Sequence, residues 1–334
     1  FWRGFMMAVF KKASAHTPVL LSEVLEVLCP RNGAIYLDGT FGAGGYSTAI
    51  LESANCQVFG IDRDPSAVKI GNSLAKRYTG RLCLLQGCYG NMVNLMAERG
   101  VDKVDGIALD IGVSSMQIDD VQRGFSFRTC GPLDMRMGIQ ADATAAEVVN
   151  TLSEDDLNQI IYTYGDERAS RSIAAAIVKY RVNQPFTTTG QLAGLVRRIV
   201  KKSKDGLDPA TRTFQALRIY VNDEIGELSR GLAAAEQLLN PGGRLAVVSF
   251  HSLEDRKVKK FLRSRSGQGS NQSRHLPRSI NFERPPSFNL LKRGIIKPSK
   301  EEIAVNPRAR SAKLRAAERT NFSPWPGDNT EIAA

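Results

Sequence analysis

Three acids and a glycine-rich stretch are the residues best placed to do chemistry. In YLDGTFGAGGYS, Asp38 is followed after three residues by Gly42, Gly44 and Gly45; Asp62 lies 24 positions on, ending QVFGID, and Asp110 ends GIALD. Glycines at this density let the main chain approach a ligand with no Cβ between them. A Walker phosphate loop needs a lysine beside its last glycine, and none occurs between Lys12 and Lys69. A dinucleotide fingerprint needs a third glycine where Ser47 stands. Asp62 suits the two ribose hydroxyls of an adenosine ligand, a geometry shared by nicotinamide and S-adenosylmethionine sites; a helix cap is the plainer reading. Asp110 can accept a hydrogen bond from a reacting group, or simply cap a strand end.

Those residues need a frame that brings them together. AIYLD, QVFGID, RLCLL and GIALD are short apolar runs separated by helix-length segments, and VLLSEVLEVL places Leu21, Val24, Leu25 and Leu28 on one helical face. This rhythm predicts an α/β fold with a mostly parallel sheet, helices on both faces and a ligand beyond the carboxyl ends of the strands. From residue 117 three helix-start signatures follow, Thr144 with Glu147, Ser153 with Asp156 and Thr188 with Gln191, each ahead of a helical apolar pattern. The strand pattern returns at GGRLAVVSF. The expected organisation is a first core part, 14–116, an inserted all-helical domain with an RNA-recognition role, 117–212, and a second core part, 213–320, carrying a mobile basic segment, 264–300; 1–13 and 321–334 are expected to be disordered tails.

Charge is unevenly spread. Residues 256–320 hold 18 Lys and Arg against 4 Asp and Glu, net +14, leaving 27 against 30, net −3, elsewhere. A basic block of this kind is the footprint of a nucleic-acid binder, the alternative being a solvated tail. No apolar run approaches the roughly 18–20 residues of a membrane span, and FWRGFMMAVFKK is a poor secretory signal, so a cytoplasmic protein with no membrane is expected. Five cysteines, odd in number and without a C-x-x-C pair, read as reduced thiols, with no metal expected. An oligomer is possible but not readable.

The acid, three residues, then G-x-G resembles the first motif of S-adenosylmethionine-dependent methyltransferases. Longer strings are more specific: HTPVLLSEV, YLDGTFGAGGYS, GIDRDP, DGIALDIGVSS, RGFSFR, GPLDMRM, PATRTFQALRIYVNDE, PGGRLAVVSFHSLEDR and NPRARSAKLRAAER, in this order from His16 to Arg319, closely resemble the bacterial 16S ribosomal RNA (cytosine-N4)-methyltransferase family. The resemblance implies a class I (Rossmann-like) methyltransferase fold with a helical insertion, S-adenosyl-L-methionine as cofactor, and methylation of the N4 amine of a decoding-centre cytosine in 16S rRNA of the small ribosomal subunit. Matched position by position, it implies cofactor contacts from the loop of Asp38, Gly42, Gly44, Gly45 and Tyr46, from Asp62 at the ribose, Tyr89 beside the adenine, and Asp110 and Gln117 toward the methyl and methionine end. Asp110 is also the candidate catalytic acceptor, although the prolines of the D-P-P-Y turn that many amine methyltransferases use here are missing.

The chain departs from the family's common pattern at Tyr46, where histidine is usual, at Met116, at Cys130 and at Asp208. The role of a side chain at position 46 is thereby open, and Cys130 is not a family catalytic residue; a thiolate there would instead suggest C5 chemistry. Candidate RNA contacts are Arg123, Phe125, Phe127 and Arg128, a stacking and phosphate-binding set or equally an anchor for the insertion. His251 is a positioning, RNA-contacting or structural histidine, and Arg308, Arg310, Lys313 and Arg315 are phosphate partners in the basic block. Two rival functions are a non-catalytic RNA-binding or ribosome assembly factor on a methyltransferase scaffold and a nicotinamide-dependent oxidoreductase; the paired acids oppose the first, Ser47 and the basic block the second.

Overall fold

The structure, a computed structural model, describes residues 18–138, 141–201, 206–268 and 284–326. The expected tail 1–13 and the middle of the expected mobile segment, 269–283, lie outside the described residues, as do His16 and 327–334.

A seven-stranded sheet organises the chain. β1 (Ile35–Asp38), β2 (Gln57–Asp62), β3 (Leu82–Gln86), β4 (Val104–Asp110) and β5 (Leu239–Ser249) are parallel; β7 (Lys313–Arg319) runs antiparallel between β5 and β6 (Phe288–Leu290), in the order β3-β2-β1-β4-β5-β7-β6. Strand order reverses between β1 and β4, which opens a crevice at the carboxyl ends of β1, β2 and β4. Alternation along the strands builds two cores. Tyr36, Val58, Ala108 and Ala246 face one side with α1 (Leu21–Leu28) and α2 (Gly45–Ser53), while Leu37, Ile61, Ile107, Leu109 and Val247 face the other. α3 (Pro65–Ala75) carries Pro65 at its first turn, and α4 (Met92–Ala97) buries Met92 and Met96 in the second core.

After β4, α5 (Ser115–Asp119) starts from a reciprocal cap between Ser114 and Gln117. Four helices follow: α6 (Ala145–Thr151), α7 (Glu154–Gly165), α8 (Ser170–Arg181) and α9 (Thr189–Ile199). Reciprocal caps form at Thr144 and Thr188, and Ser153 accepts the Asp156 amide at 3.1 Å. These helices close a third core that continues through Phe214, Leu217 and Val221 of α10 (Thr211–Val221). A left-handed Asp223 (φ 46°) then separates α10 from α11 (Glu224–Leu238), breaking what reads in sequence as one continuous amphipathic stretch.

Two expectations of disorder need correction. Within 264–300, Phe288 is fully buried and its strand pairs with β7, because a short apolar run, SFNLL, interrupts the polar segment. Within 321–334, Trp325 is docked: its indole Nε1–H donates to Pro285 O at 3.0 Å, and Arg265, at the end of α12 (Ser252–Arg265), stacks 4.5 Å from its ring. α13 (Lys300–Val305) and a single turn, Pro307–Ser311, lead into β7.

Candidate active site

The ends of β1, β2 and β4 converge on one cavity lined by the glycine loop, Asp62, Tyr89, Asp110 and the 111–117 turn. The loop is held from both sides. Gly42 N–H donates to Asp62 Oδ2 at 2.8 Å, Phe41 N–H to Ile61 O at 2.9 Å, and the Asp110 amide donates to Thr40 Oγ1 at 2.7 Å. Asp62 receives a second amide, Asp64 N–H, on Oδ1 at 2.8 Å. A carboxylate offers about four lone-pair sites, so Asp62 keeps acceptor capacity toward the cavity. Burial, only partly offset by these amides, raises its pKa.

Asp38 stands beneath this floor. It is fully buried, accepts Ser47 Oγ–H at 2.8 Å and the Thr40 amide at 3.3 Å, and does not line the cavity. Its part is to set the loop from below, which corrects the expectation of a direct contact. Burial pushes its carboxyl up to about 6 despite the Ser47 hydroxyl. Ser47, which weakens a dinucleotide reading in sequence, is therefore the partner of this acid. Gly44 also lies off the cavity, supplying the left-handed turn (φ 78°) that opens α2. Gly45 lines it, and a Cβ there would collide with Pro18. Tyr46 lines it too, its hydroxyl donating to Val19 O; the side chain at the departing position is a structural tether.

Asp110 sits at the centre with Oδ1 buried and without a hydrogen-bond partner, an arrangement that costs free energy unless a ligand completes it. Burial, then the charges of Asp38 and Glu254, lift its pKa to about 8. Gln117 spends its amide on the fold: Nε2 donates to Asp64 Oδ2 at 2.9 Å and Oε1 accepts the Ser114 amide at 3.0 Å. Its place in the cavity wall is thus that of a brace. Tyr89 opens a turn whose next amide, Gly90 N–H, donates to Glu227 Oε1 at 2.7 Å, and its ring packs onto Gly231, where a Cβ would run into it.

Sequence reasoning missed Asp64 and the α11 acids. Asp64 caps α3 and gathers Gln117 and Arg123, whose Nη1 donates to it at 2.8 Å. Burial alone would raise its carboxyl, but these donors hold it below its ordinary value. The Asp-Pro pair of GIDRDP, a helix-start signature, is the signal that could have found it. Glu224 and Glu227 are buried and line the cavity; Arg218 grips the first and Arg63 and Arg230 approach the second.

The expected RNA contacts divide. Arg123 is turned inward, giving Nη2 to the carbonyls of Arg136 and Met137 at 3.0 Å as well as Nη1 to Asp64. Phe127 packs edge-on against Phe214 at 5.0 Å, and Phe125 lies against the helical core, so both anchor the helices. His251 caps α12, its Nδ1 accepting the Glu254 amide at 3.4 Å and its Nε2 lying 2.8 Å from Glu254 Oε1. Lys313 and Arg315 both pair with Asp255, at 3.5 and 2.7 Å. Arg128, Arg308 and Arg310 are exposed. Cys130 is exposed beside Gly190 and away from the cavity. Among the described residues no group of three or more His, Cys, Asp or Glu side chains could hold a metal, and no helix is long and apolar enough to cross a membrane.

A parallel sheet with one reversed strand, β7, a glycine loop braced by the acid of the next strand, and a third strand-end acid with an oxygen left open together define a class I S-adenosylmethionine-dependent methyltransferase. The chain belongs to the MraW methylase family, whose pattern matches residues 13–320. It is 56% identical over 313 residues to the ribosomal RNA small subunit methyltransferase H of Rhodospirillum rubrum (93% of this chain, 96% of the relative). With the protein of that name from Rhodospirillum centenum it shares 60% over 308 residues (92% and 93%).

Proposed function

We propose that this protein methylates the N4 amine of a decoding-centre cytosine in 16S rRNA, acting on the small ribosomal subunit. The reading is carried by the open Asp110 oxygen at the cavity that Asp62 and the glycine loop share. S-adenosylmethionine, when bound, supplies an electrophilic methyl on a positively charged sulfonium. Asp62 would hold the ribose with its remaining lone pairs, Tyr89 would flank the adenine, and the loop amides would run beneath the methionine part. Asp110, protonated at neutral pH while alone, would ionise beside that positive charge. Its free oxygen would then accept a hydrogen bond from the amine, localise the nitrogen lone pair and take up or pass on the proton released as the N–C bond forms.

The target base must leave its stack to reach this depth. A second cavity of about 520 Å³ between core and helices, bounded by Tyr164, Tyr220 and Asp223, meets the first at Arg63, Cys88 and Glu227 and offers a route for it. The helical unit, 117–212 with α10 packed on it, would supply part of the RNA surface. Incubation with labelled methyl donor and small subunits, followed by digestion to nucleosides and mass spectrometry, tests the assignment. N4-methylcytidine is expected; C5-methylcytidine or no RNA product would overturn it.

A further inference from the structure

The segment from Ser299 to Ser311 straps the rim of the donor cavity between two polar tethers. At one end Glu302 Oε1 accepts the Leu20 amide at 2.6 Å; at the other Arg308 Nη2 pairs with Asp119 Oδ1, on the last turn of α5, at 2.7 Å. Asn306, between them, and Arg308 itself line the same cavity as Asp62 and Asp110. The two tethers differ in kind. The first holds a backbone amide, whereas the second joins side chains that are 44% and 54% exposed. That contrasts with Arg315 and Asp255 nearby, 13% and 16% exposed, which are committed to the fold. An exposed pair is weak and exchangeable, and a guanidinium binds phosphate oxygens with the same fork it offers a carboxylate.

We propose that Arg308 is a phosphate-recognition residue at the donor-cavity rim, held in reserve by Asp119 until an RNA backbone phosphate displaces that carboxylate. The proposal rests on the reading that RNA is the substrate. It gives Asp119 a purpose as an internal stand-in for phosphate, shielding Arg308 from other anions. It also links arrival of RNA to the strap, because the exchange removes one of the two tethers over the cavity.

A double-mutant cycle tests it, with binding of a single-stranded RNA oligonucleotide of the decoding region measured at fixed salt and folding checked by thermal melting. Asp119→Asn should tighten binding about two- to fivefold, the scale of an exposed ion pair, in the presence of Arg308. In an Arg308→Gln background the same change should have no effect. Equal tightening in both backgrounds would make Asp119 a general negative charge and overturn the proposal, as would no tightening in either. If the unaltered protein bound neither this oligonucleotide nor small ribosomal subunits, the substrate reading itself would fall, and the proposal with it.

Discussion

Gly42 and Asp62 are joined by a 2.8 Å hydrogen bond from the loop amide to the carboxylate, which makes the glycine loop after β1 and the acid ending β2 one unit. Asp62→Ala should therefore do two things. It removes the proposed ribose acceptor, weakening S-adenosylmethionine binding by about 1.5–3 kcal/mol, and it frees the Gly42 amide that holds the loop together with the Asp64 amide. Calorimetry on a variant with native circular dichroism checks this; unchanged affinity would take Asp62 out of the site.

Asp110 should make donor binding pH-dependent. Its carboxyl, raised to about 8 by burial and then by Asp38 and Glu254, stays protonated in the folded protein where an unfolded carboxyl would ionise. The stability this group contributes is complete below the ordinary carboxylate range and is lost as pH rises through about 8. Asp110→Asn should thus raise the melting temperature of the unliganded protein more at pH 9 than at pH 6. Because a cation favours the ionised form, preference for S-adenosylmethionine over its neutral-sulfur product should climb with pH toward 8, by up to about tenfold per unit. In Asp110→Asn that preference should be flat.

Chemistry separates Asp110 from Cys130. The amine nitrogen is itself the nucleophile, so no thiolate is required, and Cys130 lies away from the cavity. Cys130→Ser should keep near-normal turnover, while Asp110→Asn should lose about 10²-fold or more in turnover at saturating donor. Abolition of activity in a folded Cys130→Ser protein would point to a covalent route.

The basic block should split functionally. Lys313→Ala with Arg315→Ala strands Asp255 and should destabilise the fold by about 1–2 kcal/mol, between the exposed and buried limits for ion pairs, with little change in the salt dependence of RNA binding. Arg308→Ala with Arg310→Ala should leave the melting temperature nearly unchanged and flatten the log-log salt slope by up to about 0.7 per lost contact. The reverse pattern would move the RNA face onto β7.

Gly231 is a packing glycine, needed because the Tyr89 ring occupies the space a Cβ would fill. Gly231→Ala should cost about 1–3 kcal/mol, the range for overpacking, and loosen the turn beside the proposed adenine position. A raised KM for the donor with little change in kcat is the expected signature.

What could be read from sequence follows from how local each feature is. Strand ends at Asp38, Asp62 and Asp110 were legible because apolar runs ending in an acid report geometry within one element. So were the caps at Thr144 and Thr188, whose partners stand three residues away. Asp64 was not, since its donors Gln117 and Arg123 are 53 and 59 residues distant, and neither was the pairing of Lys313 and Arg315 with Asp255, which depends on how α12 lies over β7. His251 has a structural role among its sequence readings, but its capping of α12 escaped because imidazole is an unusual cap. Trp325 escaped because its short Pro-flanked context carries no periodicity, although Glu236 and Arg265 receive it in space.

The position of β7 has a consequence for how the protein is made. β7, the last strand among the described residues, does not add to an edge; it enters between β5 and β6, both synthesised before it. During translation the four strands ending at Asp110 and the helical cluster emerge first and can bury their own apolar faces, but β5 waits with one edge unpaired. The rim of the donor cavity, with Asn306 and Arg308, arrives only just ahead of β7. A nascent or prematurely terminated chain that stops before Lys313 would therefore carry the three acids yet lack a closed donor site, and would present an aliphatic strand edge to chaperones instead.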